Sequence, residues 1–164
     1  MAATAMVARR IGEKKPEEAS KTAAQAIVLT IAISAILGIA GYVFGEEILS
    51  LMGGSDELIA EGKWYTKIMY ASSGVIMMLF LINGIFRGAG SASIAMRALW
   101  ISNILNMLLD PLFIFGWGPI PEMGVTGAAV ATTIGRSVGV IYQLTQLLNK
   151  KGIIKIYSHY IKPQ

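Results

Sequence analysis

Hydrophobic positions along this chain fall in long continuous runs, not in alternating or once-per-turn stripes. Ala23–Phe44 holds no charged residue. At about 1.5 Å per residue, a helix of that length matches a hydrocarbon core of about 30 Å. Ile68–Phe86 is a second uncharged run, Ala98–Gly118 a third that contains Asp110, and Gly127–Leu148 a fourth that contains Arg136. Strands of a membrane barrel would alternate apolar and polar residues; these runs do not. The pattern predicts an all-α integral membrane protein with four transmembrane helices.

The first run opens with helix-start chemistry. Pro16 suits the first turn, and Glu17 and Glu18 suit the positive end of the helix dipole. The run is longer than the apolar core of a signal peptide, and GEEILS after it offers no small-residue cleavage pattern. The short AATAMVA before Arg9 reads as the last turns of an earlier helix.

Composition agrees: 54% of the 164 residues are hydrophobic and 15% charged, with a mean hydropathy of +0.59. Such a chain is too apolar for a soluble domain of this size. No cysteine is present, which excludes disulfides, thiolate metal sites and thiol nucleophiles.

The formal charge of +4 matters less than where the charges fall. Arg9, Arg10, Lys14, Lys15 and Lys21 precede or open the first run. The next loop is acidic, with Glu46, Glu47, Asp56, Glu57 and Glu61 against Lys63, and Lys67 just beyond. Arg87 and Arg97 lie between the second and third runs, no Lys or Arg between the third and fourth, and Lys150, Lys151, Lys155 and Lys162 in the tail. Basic loops stay in the cytoplasm, so both ends and the middle loop are expected inside. These basic groups read as orientation determinants, and no nucleic-acid partner is expected. Gly41-xxx-Gly45, Gly84-xxx-Gly88 and Gly135-xxx-Gly139 predict close helix packing. Gly88-Ala89-Gly90 is no nucleotide loop, because no strand precedes it and no Gly-Lys-Ser/Thr follows.

The third run carries the chemistry. At about 100° per residue, Asn106 and Asp110 fall about 60° and about 20° to one side of Asn103, and Trp117 lands on the same flank. Lipid is the wrong solvent for that stripe. A central Asp costs roughly 2.5–3.5 kcal/mol on insertion scales, so it should face a bundle interior or a wet cavity. Pro111 has no N–H, which leaves the Met107 carbonyl without its helix partner and predicts a kink. That carbonyl, Asp110 and the Asn106 amide form a group of oxygens able to hold a small hard cation or a proton. The alternative is a permanent ion pair between Asp110 and Arg136 on the next span.

VARRIGEKKPEEA, then GIFRGAG, then NMLLDPLFIFG followed by MGVTGAAVAT, resemble the amino-terminal half of the multidrug and toxic compound extrusion (MATE) transporters. The resemblance covers nearly the whole chain. It implies a twelve-helix, two-lobe fold, of which residues 1–164 are part of the amino-terminal lobe, corresponding to helices three to six. It further implies antiport of H+ or Na+ against drugs and other organic cations, with no cofactor, at the plasma membrane. Carried over residue by residue, Asn106, Asp110 and Thr132 correspond to the cation site, with Asp110 and Asn106 the ligands a sodium ion would use, and Tyr65 to a cavity-lining tyrosine. Ser91 and Ala92 stand where the family's loop has Asp-Thr, so no role is carried to that loop. The family's first helix, with its second aspartate, and its carboxy-terminal lobe have no counterpart here, so the rest of the transporter is an expected partner.

Two other readings compete: a lipid-linked-sugar flippase of the same superfamily, and a non-transporting subunit that packs in the bilayer against a partner. An enzyme is not expected. Asp110 is the only carboxylate inside a span, which leaves no intramembrane aspartyl pair. His159 sits in the tail among Tyr157 and Tyr160, which read as interfacial residues.

Overall fold

The computed structural model describes residues 2–117 and 119–148, and the helices among them are α1 (Ala2–Gly12), α2 (Pro16–Val43), α3 (Gly45–Leu51), α4 (Asp56–Ala71), α5 (Ser73–Gly88), α6 (Ala92–Ile114) and α7 (Gly124–Leu148). No strand occurs among the described residues. The tail lysines, Tyr157, His159 and Tyr160 lie outside them. Helices α2, α6 and α7 are each long and apolar enough to cross a membrane, and α4 with α5 meets the same criterion as one broken span.

α2 shows how such a sequence folds in lipid. Pro16 occupies its first turn as expected. Its buried residues are all small: Ala19, Ser20, Ala23, Ala24, Ser34, Gly38 and Gly41. Its large residues point outward, Ile36 at 68% exposure and Ile39 at 67%. Between helices in lipid there is little hydrophobic drive, so close backbone approach through small side chains holds the bundle together.

The second span departs from the continuous run expected over Ile68–Phe86. It breaks at Ser72, and α4 and α5 meet at 43°. The Ser72 hydroxyl donates to the carbonyls of Ile68 at 2.8 Å and Met69 at 3.2 Å. A serine that bonds back to the preceding turn bends a helix, and the Ser-Ser-Gly sequence that follows Ala71 is a poor helix former. α4 also starts far outside the expected span. Ser55 caps it, accepting from the Leu58 N–H at 3.3 Å, and Asp56 and Glu57 fill its first turn. Much of the acidic "loop" is therefore helix. At this end Lys67 pairs with Glu46 at 2.7 Å and lies 5.7 Å from the Trp64 ring and 6.0 Å from the Tyr42 ring. One lysine clasps α2, α3 and α4 together.

All three Gly-xxx-Gly pairs serve packing within the chain. A Cβ at Gly41 would sit on the Tyr70 ring, and one at Gly45 would touch Thr66. At Gly84 it would lie 2.6 Å from the Thr4 hydroxyl, and at Gly88 2.6 Å from the Thr4 carbonyl. So α1 is seated on α5, with Val7 fully buried. The apolar core joins Val7, Ala23, Ile82, Ile85, Phe86 and Leu147. It lies at the end of the bundle that carries the basic loops.

α6 and α7 run antiparallel along a seam of small residues. Gly127, Ala131, Gly135 and Gly139, four apart and all buried, form the α7 side. Gly127 fits against the Phe113 carbonyl, Gly135 against the Ser102 carbonyl, where a Cβ would lie at 2.9 Å, and Gly139 between Leu79 and Ser102. α6 ends at Ile114, short of the Gly118 expected. One turn past Pro111 the chain swings away at Gly116, whose φ of +70° suits glycine.

Candidate functional site

The α6–α7 seam brings three of the expected site residues together. The Asn106 amide donates from Nδ2 to Asp110 Oδ1 at 3.0 Å and to Thr132 Oγ1 at 3.3 Å. An amide nitrogen carries two hydrogens, so both contacts can be made at once. The cause is local on each side. Asn106 and Asp110 are four apart and stack on one face of α6. Gly135, one turn along from Thr132, lets α7 approach until a Cβ there would lie 3.3 Å from Asn106 Cβ. A larger residue at 135 would hold Thr132 out of reach.

The hydroxyls of α7 sort themselves accordingly. Thr133 donates to the Ala129 carbonyl at 2.8 Å and Ser137 to the Thr133 carbonyl at 2.7 Å, both back into their own helix. Thr132 instead faces Asn106 across the seam. Thr132, Asn106 and Asp110 are all half-buried, so the group is neither sealed nor bathed in solvent. It offers one carboxylate, an amide oxygen and a hydroxyl. One negative charge with neutral oxygens suits a proton or a monovalent hard cation better than a divalent one.

The other expected residues sit elsewhere. Pro111 lies inside α6, four residues from its first non-helical position, and the Phe115 N–H bonds to its carbonyl at 3.1 Å. The proline thus occupies the last turn, not the middle, of the span. Tyr65 is half-buried on α4, and among the described residues its hydroxyl makes no hydrogen bond to the trio. Trp117 lies beyond the end of α6 at 78% exposure, so the helical phase that put it on the stripe does not reach it. Arg136 forms no ion pair with Asp110. The register of the seam, Gly127 opposite Phe113 and Gly135 opposite Ser102 to Asn106, places Arg136 about 9 Å along the axis from the carboxylate. A permanent Asp110–Arg136 pair is not what neutralises this span.

A second polar contact was not foreseen. Gln143 Nε2 on α7 donates to Asn83 Oδ1 on α5 at 2.8 Å, and both side chains are buried, at 0% and 2% exposure. Asn83 Nδ2 and Gln143 Oε1 have no partner. The available signal was that each is an amide inside an apolar run, where a polar residue needs a partner.

Known proteins resemble this chain closely enough to identify its family. A family profile described as MatE matches residues 1–112. The multidrug export protein MepA of Staphylococcus aureus (strain bovine RF122 / ET3-1) is 24% identical over 157 residues, covering 96% of this chain and 34% of the relative. MepA of Staphylococcus saprophyticus is 30% identical over 118 residues, covering 72% of this chain and 25% of the relative. A solved inward-facing multidrug resistance MATE family transporter of the MOP superfamily matches with a TM-score of 0.89 and 28% identity, over 99% of this chain and 36% of that one. An outward-facing structure of such a transporter matches with a TM-score of 0.88, also at 28% identity, over 99% of this chain and 35% of that one. The chain spans a quarter to about a third of the length of these relatives, and it belongs to the MatE family of multi-pass membrane transporters.

Proposed function

We propose that this chain supplies the cation-coupling part of an exporter that exchanges H+ or Na+ for drugs or other organic cations. The observation that carries the reading is the Asn106–Asp110–Thr132 group: a carboxylate near the end of a membrane-spanning helix, held by the neutral Asn106 amide, which also reaches Thr132, and left without a cationic partner among the described residues. Loading a proton or sodium ion at Asp110 removes the charge that makes this face costly in a dry, closed seam. The equilibrium between two arrangements of the lobes then shifts by the difference in that cost. Asn106 orients the carboxylate, Thr132 contributes an oxygen from the facing helix, and Pro111 allows the last turn of α6 to adjust. Tyr65 lines the substrate cavity. The helices stand in the plasma membrane with both ends of the chain in the cytoplasm, and no cofactor takes part.

The relatives' names, multidrug export proteins, support the drug-export part of this reading. The test is Asp110→Asn in a full-length transporter that carries this segment. It should reach the membrane at the parental level and lose efflux driven by an imposed H+ or Na+ gradient down to background. Export at the parental rate would overturn the coupling role.

A further inference from the structure

A groove of about 570 Å³ opens on the flank of α6 near its basic end, lined by Ser93, Met96, Arg97, Trp100, Ile101 and Tyr142. Its chemistry is graded. Met96 and Ile101 give it apolar lining, Trp100, 65% exposed, adds an indole, and Arg97 supplies one cation. Three of the basic residues near this side have carboxylate partners. Arg9 binds Glu13 at 2.9 Å, Arg10 binds Glu18 at 2.8 Å, and Lys15 lies 3.4 Å from Glu18. Arg97 forms no ion pair among the described residues, and the first turn of α6 contains no acidic residue.

We propose that this groove binds one anionic glycerophospholipid of the inner leaflet. The guanidinium is a planar fork that can hold two non-ester phosphate oxygens at once. Trp100 and Tyr142 have an apolar body and a polar tip, the character that favours the headgroup level. From Ser93 to Ile101 α6 rises about 12 Å, enough to seat the glycerol and the upper part of one acyl chain along Met96 and Ile101. A zwitterionic lipid fits less well, because its ammonium would meet no carboxylate in the groove. The unpaired positive charge, set at the mouth of an apolar trough on the basic side, selects the anionic class.

The experiment uses the full chain in bilayers, with Trp64→Phe and Trp117→Phe leaving Trp100 as the fluorophore. Brominated phosphatidylglycerol should quench Trp100 at least twofold more than brominated phosphatidylcholine at equal mole fraction. Arg97→Gln should bring that ratio close to one, and Arg97→Lys, which keeps the charge but loses the fork, should lower it part of the way. Arg87→Gln, which removes an exposed basic residue outside the groove, should leave the ratio unchanged. Equal quenching by the two lipids in the parent would overturn the proposal. So would an Arg87→Gln effect as large as that of Arg97→Gln, which would mean diffuse attraction of anionic lipid to a basic surface. Helicity measured alongside separates loss of lipid from loss of fold, and Arg97→Lys supplies the reading should Arg97→Gln not fold.

Discussion

α7 meets its neighbours through polar side chains at two places about 16 Å apart along its axis, and the two could hardly differ more. Near the basic end, Gln143 and Asn83 are neutral, buried and half-satisfied. Toward the other end, Thr132, Asn106 and Asp110 are half-buried, and one of them is charged. A neutral pair sealed from water can only hold two helices in register. A charged group with an opening can change its state while the fold persists. Chemical type alone does not separate them, since both contain an asparagine amide; burial and charge together do.

The sharpest way to break this comparison is to exchange the chemistry of the two places. Asn83→Asp puts a carboxylate at a position only 2% exposed, beside the neutral Gln143 amide, and should destabilise the protein by roughly 3 kcal/mol. Its yield in the membrane should fall accordingly. Asp110→Asn, the reverse change at the open place, should leave yield and unfolding midpoint near the parental values. If Asn83→Asp accumulates normally, the α5–α7 contact is wetter than its burial implies and the contrast fails.

Next in size is the worth of the amide pair itself. Gln143→Leu leaves Asn83 buried without a partner, which costs about 1–3 kcal/mol, and Asn83→Leu does the same to Gln143. The double substitution should cost less than the sum, because it removes both unmet groups together. Additive losses in denaturant titrations of the four proteins would show that the two amides do not depend on each other.

Residue pattern makes one of these places legible and hides the other, for a physical reason. Asp110 announces itself because a charge in an apolar run has a cost that the sequence must answer, and Asn106 one turn earlier lies on the same face. Thr132 follows only from the family resemblance, since nothing local says which of the neighbouring hydroxyls on α7 turns outward. That depends on Gly135 and the antiparallel register. Asn83 and Gln143 are separated by sixty positions, and a neutral amide in a span carries too weak a signal to name its partner. The break at Ser72 is missed because hydropathy reads straight through Ser-Ser-Gly, while the backbone responds to the Ser72 hydroxyl bonding back to the previous turn. The shortened end of α6 is missed likewise: apolar residues continue to Trp117, but the helix stops one turn beyond Pro111.

Within the open place, Asn106→Ala sharpens the comparison by removing one holder of the carboxylate and leaving the charge. The number of drug molecules exported per ion should fall several-fold in the full-length context, well short of the loss from Asp110→Asn. Stability should move by about 1 kcal/mol or less, because water can replace the amide at a half-buried site. A stability loss as large as that of Gln143→Leu would place Asn106 with the structural amides.

The smallest effect belongs to a third kind of contact, charged yet exposed: Glu46 and Lys67 at the acidic end of the bundle. The hydrogen bond from the Lys67 ammonium, and its charge, hold the Glu46 carboxyl below the usual value of 4.5. A carboxylate whose folded pKa is depressed adds stability that is present above its unfolded pKa. That contribution fades as pH falls below about 4.5 and is gone once the folded pKa is passed. Exposed ion pairs are screened by salt and contribute little. Glu46→Gln should therefore leave the unfolding midpoint at pH 7 nearly unchanged, and should flatten only the part of the stability curve below about pH 4.5. Raising salt should shrink even that difference. A large loss at neutral pH would mean that the Lys67 clasp between α2, α3 and α4 is buried in the assembled transporter, and that this contact belongs with the sealed places after all.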